Sequence, residues 1–243
     1  MTILLLAGTG EARRLADAFV DAGRKDVIAS LSGATRMPTP LSLETRVGGF
    51  GGWDGQVEFI KSNEISAVID ASHPFAHRIS DRSAKICRSL NIPYLQVLRP
   101  EWRPEEGDRW LFVKDGAEAS EHIRQGSRVF LAVGRQTLTE FSSLTGSHLI
   151  CRQIDAPETQ FPFPNGEFLV GRPPFSVEDE AALFQRLQID WLVVKNAGGA
   201  ASKTKLTAAR QLGIPVLMLE RPLQPVGDKV KTVGEAMAWA ASQ

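Results

Sequence analysis

The chain has 243 residues, 43% of them hydrophobic and 23% charged, enough to bury one large core or two smaller ones. Its 28 basic and 28 acidic residues cancel, so no global field favours nucleic acid or an anionic membrane surface. Cys87 and Cys151 are isolated, with no CxxC, which argues against a zinc site or a disulfide framework; no apolar run reaches a signal core or the ~20 residues of a membrane span, and a cytoplasmic setting is expected.

Ile3 to Leu6 is a continuous apolar run, as a strand buried on both faces of a parallel sheet requires. It runs into AGTGEARRLADAFVDAG, where Ala12, Leu15, Ala16, Phe19 and Val20 recur at helical spacing and Gly23 closes the helix. Val27 to Leu31 and Leu43 to Val47 read as the next strands. The second of these leads into GGFGGWDG, whose glycines mark a backbone that bends sharply or approaches something closely. Val57 to Lys61 predicts a short helix and Ala67 to Asp70 a buried strand. Pro74, after Ser72 and His73, stands where a helix N1 proline belongs. Tyr94 to Leu98 then closes a first lobe, residues 1–100.

Residues 101–127 are polar and proline-containing and read as a connector with one helix near Ala117 to Ile123. The second lobe, 128–243, has predicted strands at Val129 to Val133, His148 to Cys151, Phe168 to Val170, Trp191 to Val194 and Val216 to Leu219. Helices are expected near Leu138, over Val177 to Leu187, Lys203 to Leu212 and Gly234 to Ala241, with APETQFPFPNGE as loop. Strands alternating with helices imply an α/β chain with doubly wound parallel sheets.

The two halves repeat each other. ILLLAG (Ile3 to Gly8) pairs with VFLAVG (Val129 to Gly134), ISAVIDAS (Ile65 to Ser72) with IDWLVVKN (Ile189 to Asn196), and RSLNIPYLQVLRP (Arg88 to Pro100) with RQLGIPVLMLERP (Arg210 to Pro222). The offset drifts only from 126 to 124 to 122 across these pairs, as expected of two copies that differ by short loop changes. Two similar lobes with a cleft between them are therefore expected, and a cleft is where ligands bind.

Several motifs sit at predicted strand ends. Gly8, Thr9 and Gly10 lie between a buried strand and an amphipathic helix, the context of a dinucleotide turn, where glycine lets helix N-terminal amides approach an anion. The third glycine of that fingerprint is replaced by Arg13, so a merely tight turn is the alternative. Past the second strand stand Ser32, Thr35 and Arg36 rather than an acidic residue, which favours a 2′-phosphate and hence NADPH; otherwise Arg36 is a solvated loop residue. In DASHPFAHRIS, His73 either serves a ligand or, with Ser72, caps the helix begun at Pro74. His77 lies four residues on, without the carboxylate or cysteine that would complete a metal site.

KNAGGAASKTKL occupies the equivalent strand end of the second half. Lys195 and Asn196 precede Gly198, Gly199 and a helix carrying Lys203 and Lys205, an arrangement suited to phosphate or carboxylate; solvated lysines are the bland alternative. Arg135, Gln136 and Arg172 extend a cationic rim suited to an acidic substrate. No GxSxG or HExxH is present, and Tyr94 has no lysine four residues later. Hydride transfer needs little beyond a positioned cofactor, acceptor and proton source.

LLLAGTGEARRLA, GGFGG, DASHPFA, the run Leu98 to Trp102, KNAGGA and LTAARQLGIPVLMLERP together resemble the precorrin-6A reductase family of cobalamin biosynthesis over nearly the whole chain. The resemblance implies a two-lobed Rossmann-like enzyme that reduces one double bond of the precorrin-6A tetrapyrrole with a reduced nicotinamide nucleotide, hydride going to C19 and a proton to C18. It implies that Gly8, Thr9, Gly10, Glu11, Ser72, His73, Pro74, Lys195, Asn196, Gly198 and Gly199 line the cofactor and macrocycle sites. His73 and Lys195 are each chemically able to donate the proton, and water is the alternative. Two other readings stay open: a cobalt-precorrin-6A reductase using NADH, and a nucleotide-sensing protein without catalysis.

Overall fold

The computed structural model describes residues 2–33 and 40–243. In chain order the elements are β1 (Thr2–Leu6), α1 (Gly10–Asp21), β2 (Val27–Leu31), β3 (Glu44–Val47), α2 (Trp53–Ser62), β4 (Ile65–Asp70), α3 (His77–Leu90) and β5 (Tyr94–Val97). There follow β6 (Trp110–Val113), α4 (Gly116–His122), β7 (Arg128–Ala132), a 3₁₀ helix (Arg135–Phe141), β8 (His148–Gln153), β9 (Gly166–Val170), α5 (Val177–Arg186), β10 (Trp191–Lys195), α6 (Thr204–Leu212) and β11 (Val216–Leu219). The chain ends with β12 (Asp228–Val230) and α7 (Val233–Ala241).

Two compact units form, one from Met1–Pro100 with Pro222–Gln243, the other from Glu101–Arg221. The first holds a six-stranded parallel sheet in the order β12-β5-β4-β1-β2-β3. Alternation along β1 sends Ile3 and Leu5 to a core with Leu15 and Phe19 of α1 and Ala236 and Ala240 of α7. Leu4 and Leu6 face the other way, against Ile60 of α2 and Ile86 and Cys87 of α3. Because both faces are covered, the middles of the central strands are apolar, which is what made them legible.

The second unit holds the equivalent sheet, β6-β11-β10-β7-β8-β9. Phe130, Ile150, Leu192, Val194 and Met218 pack one of its faces against Phe184 of α5 and Leu206 of α6. In both sheets the strand order reverses once, between β1 and β4 and between β7 and β10. Such reversal points leave a crevice at the carboxyl ends of the two strands.

The expected boundaries differ from the observed ones. Residues 101–127 are no passive connector, since β6 and α4 belong to the second sheet's unit, and residues 222–243 return to the first unit rather than completing a lobe at 128–243. After β5 the next strand, β6, pairs with β11; after β11 the next strand, β12, pairs with β5. Each half thus gives its sixth strand to the sheet of the other. The donated pieces also repeat: Lys114, Asp115, Glu118 and Ala119 match Lys231, Thr232, Glu235 and Ala236. Asp115 and Thr232 cap their helices by accepting the amide of the glutamate three residues on, and each glutamate receives the amide of the preceding lysine at 2.8 and 2.9 Å. Both β6 and β12 are edge strands: Leu111 and Phe112 of β6 are 40% and 39% exposed, and β12 is three residues with one valine. The apolar run WLFV of β6 does look like a strand, but it lies inside a polar, proline-containing stretch that reads as a connector.

Candidate functional site

The reversal point of the first sheet gathers two of the predicted motifs. Beyond β1, Gly8 adopts φ +132°, a conformation closed to most side chains, and a Cβ built there would meet nothing within 4 Å. Thr9 is the N-cap of α1: its Oγ1 accepts the Ala12 amide at 3.1 Å and donates to the Ala71 carbonyl at 2.7 Å. The hydroxyl therefore ties the glycine turn to the end of β4, while the N–H groups of the first helical turn have no partner within the helix. Glu11 follows, held by Arg99 at 2.6 Å and Arg14 at 2.9 Å. Burial alone would raise the Glu11 carboxyl, but Arg99, with Arg14 behind it, holds it below its usual range.

At the end of β4, buried Asp70 accepts the Tyr94 hydroxyl on Oδ2 at 2.8 Å and the Ser72 amide on Oδ1 at 2.9 Å. Burial and the Asp70 charge push the Tyr94 hydroxyl far above its ordinary pKa, so it stays a donor. The following turn is closed by the Ala76 amide on the His73 carbonyl at 2.7 Å, and His73 Nδ1 accepts the Phe75 amide at 3.2 Å. In the neutral ring this puts the proton on Nε2. Pro74 is not a helix N1 residue and neither Ser72 nor His73 caps the helix: α3 starts at His77 with Ala76 as N-cap. The Asp70–Ser72 and His73–Phe75 bonds divert these residues into a turn first. Gln224, from the returning C-terminal segment, donates to the Pro74 carbonyl at 3.0 Å.

One contributor escaped the sequence reading. Arg46 on β3 donates to Ser30 Oγ at 2.8 Å and to the carbonyls of Gly48 and Gly49 at 2.9 Å each, with its guanidinium 4.1 Å from the centre of the Phe50 ring. It organises the glycine loop that the sequence flagged only as sharply bent; an arginine one residue ahead of Val47 and the glycines, with Phe50 and Phe59 to stack on, was the available signal. Ser32 lies just past β2, exposed. Thr35, Arg36 and the side chain of Gln136 lie outside the described residues.

In the second unit, Lys195 is the last residue of β10, where burial lowers its ammonium pKa against the opposing pull of Glu140. Asn196 is buried, and both ends of its carboxamide are taken by Trp102, Oδ1 accepting the amide at 2.9 Å and Nδ2 donating to the carbonyl at 3.2 Å. Trp102 in turn donates its indole N–H to the Gly199 carbonyl at 2.9 Å. Arg221 donates to the carbonyls of Asn196 and Ala197 at 2.7 and 2.9 Å. Gly198 and Gly199 take φ +68° and +85°, so this loop is a tightly braced turn.

The two lysines at the start of α6 part company. Lys203 ion-pairs with Glu105, whereas Lys205 donates to the Ser202 carbonyl at 2.8 Å and is pushed down to about 8, chiefly by burial and then by Arg152. Arg152 itself is clamped on the buried Glu180 at 2.7 and 2.8 Å and stacks 4.3 Å from the Phe175 ring. Arg172 meets Asp155 at 3.3 Å, and Arg135 opens the 3₁₀ helix beyond β7. Arg135 and Lys195 both act on the buried Cys151 thiol, opposing the burial that pushes it up to about 11. Arg135, beyond β7, and Lys195, at the end of β10, follow the two strands that flank the second reversal point. Among the described residues no group of three or more His, Cys, Asp or Glu side chains is placed to hold a metal ion, and no helix is long and apolar enough to cross a membrane.

A family model described as precorrin-6x reductase CbiJ/CobK matches residues 2–241. A protein of Rhodococcus erythropolis named precorrin-6A reductase is 42% identical, covering 99% of this chain and 97% of its own; one of the same name from Rhodobacter capsulatus is 40% identical, covering 98% and 95%. The cobalt-precorrin-6A reductase of Priestia megaterium is 28% identical over 99% of this chain and 98% of its own. A solved structure described as CobK precorrin-6A reductase superposes with a TM-score of 0.93 at 39% identity, covering 100% of this chain and 97% of that one.

Proposed function

Because this chain belongs to the precorrin-6x reductase CbiJ/CobK family, we propose that it reduces one double bond of precorrin-6A to give precorrin-6B in cobalamin biosynthesis, with NADPH as the reductant. The metal-free substrate is favoured by the gap in similarity, 42% to a precorrin-6A reductase against 28% to a cobalt-precorrin-6A reductase. The carrying observation is the Thr9–Ala71 hydrogen bond, which holds the glycine turn and the Ser72–His73 turn side by side at the first sheet's reversal point.

The residues present fit a dinucleotide. Space above Gly8 lets a pyrophosphate reach the first-turn amides of α1, and the Arg99 charge on Glu11 removes the repulsion a lone carboxylate would exert there. Ser32 and Arg36 past β2 offer a 2′-phosphate donors where an acidic residue would repel it. When bound, the reduced nicotinamide supplies the hydride. Ser72, His73 and Pro74 bound its pocket, His73 presenting an Nε2 proton because the Phe75 amide occupies Nδ1. Lys195 and Arg135, in the second unit, hold carboxylates of the macrocycle. The proton comes from His73, from Lys195 or from water.

The test is loss of NADPH absorbance on adding metal-free precorrin-6A, repeated with NADH and with the cobalt-loaded substrate. Oxidation of NADPH with the metal-free ring, at least tenfold faster than the alternatives, supports the proposal. Preference for NADH and cobalt selects the neighbouring reductase reading, and nucleotide binding without turnover selects a sensor.

A further inference from the structure

Gln153, the last residue of β8, is 8% exposed, and neither its Nε2 nor its Oε1 has a hydrogen-bond partner among the described residues. Burying a carboxamide with both ends unmatched costs stability that an apolar side chain of the same size would not. The surroundings say what would match it. Cys151 is in register with Leu131, and Leu131 with Val193; two residues further on, Gln153 and Lys195 therefore share one face of the sheet. They stand about 10 Å apart, two strand spacings. Between them in the row stands Val133, just past the end of β7 and 5% exposed, followed by Gly134 at φ +79° and Arg135. Gln153 and Lys195 thus flank Val133 on one face at the carboxyl edge of the sheet. Arg135, two residues past Val133, and Lys195 bring positive charge to this edge, and Glu140 opposes it at Lys195.

We propose that Gln153 is a substrate-recognition residue: its Nε2 donates to a carboxylate of the bound tetrapyrrole, which Lys195 and Arg135 hold by charge. A carboxamide suits this place because it donates to an anion without adding a negative charge beside Glu140 or a third cation beside Lys195. The inference rests on the substrate class proposed above and deepens it, by assigning specificity to a residue outside every motif singled out in the sequence.

The experiment compares wild type with Gln153→Leu and Gln153→Glu in the full chain, by melting temperature, by steady-state kinetics with precorrin-6A and NADPH, and by fluorescence titration with uroporphyrin, a stable ring with eight carboxylates. Gln153→Leu should melt no lower than wild type, raise KM for precorrin-6A at least tenfold with kcat changed less than threefold, and leave KM for NADPH unchanged; Gln153→Glu should raise KM further. Uroporphyrin should bind either variant at least tenfold more weakly. Unchanged KM and porphyrin affinity overturn the assignment, as does a lower melting temperature with both KM values shifted, the mark of a purely structural residue. Should wild type fail to oxidise NADPH, the functional reading fails and the porphyrin titration alone decides Gln153. Wild type that neither turns over nor binds porphyrin overturns both.

Discussion

The Tyr94 hydroxyl donates to Oδ2 of Asp70 at 2.8 Å, and through the other oxygen of that carboxylate it fixes the Ser72 amide at 2.9 Å. A tyrosine on β5 thereby sets the turn that carries His73. Removing the hydroxyl leaves a buried carboxylate one partner short.

Tyr94→Phe should therefore cost about 1–3 kcal/mol of stability in urea denaturation, and should lower kcat more than it raises KM for precorrin-6A. A variant as stable and as active as wild type would separate Tyr94 from the turn.

Glu11 has a folded pKa below its ordinary 4.5, so it binds a proton more readily when unfolded. Its contribution to stability is present above pH 4.5 and is lost as pH falls through the lower folded value. Glu11→Gln should be less stable than wild type at pH 7, and the gap should close on acidification, as followed by thermal melts. Arg99→Met should show the same loss and also weaken NADPH binding about tenfold.

Lys205 runs the other way, its folded pKa of about 8 lying below the ordinary 10.5. The unfolded chain holds the proton more tightly between these values, so the penalty is full below pH 8 and fades as pH rises toward 10.5. Lys205→Met should raise stability by on the order of 1 kcal/mol at pH 7, with a diminishing advantage up to pH 10. A melting temperature that falls at pH 7 would assign Lys205 a favourable role instead.

His73→Ala and Lys195→Ala should each reduce kcat by less than about 10³-fold, since each leaves the other or a water to deliver the proton. Rapid-mix kinetics at saturating substrate would measure this, and a larger loss in one variant with binding intact would identify it as the obligatory donor.

How much could be read beforehand depended on burial. The central strands β1, β4, β7 and β10 were visible because both faces are covered and the residues are apolar, and the turns after them were visible because glycine and His-Pro-Phe interrupt those runs. Arg46 and Gln153 were not, since a single polar residue in or after a strand looks the same whether it braces a loop, faces water or awaits a ligand. Asn196 was expected to line a ligand site, whereas both ends of its carboxamide are hydrogen-bonded to Trp102, 94 residues away in sequence, a pairing that no local pattern announces. Strand β12 was hidden because an edge strand of three residues with one valine carries no pattern, and β6 because its apolar run WLFV lies within a polar, proline-containing stretch.

That reciprocal loan of a strand also orders events during synthesis. Glu101–Arg221 is one continuous stretch and can complete its sheet as soon as it leaves the ribosome, whereas the first sheet keeps the flank of β5 bare until Pro222–Gln243 emerges. A nascent chain stalled or truncated near Arg221 would display an unsatisfied row of backbone donors and acceptors, open to pairing with another chain. Of the two sheets, the one begun first is thus the one sealed later.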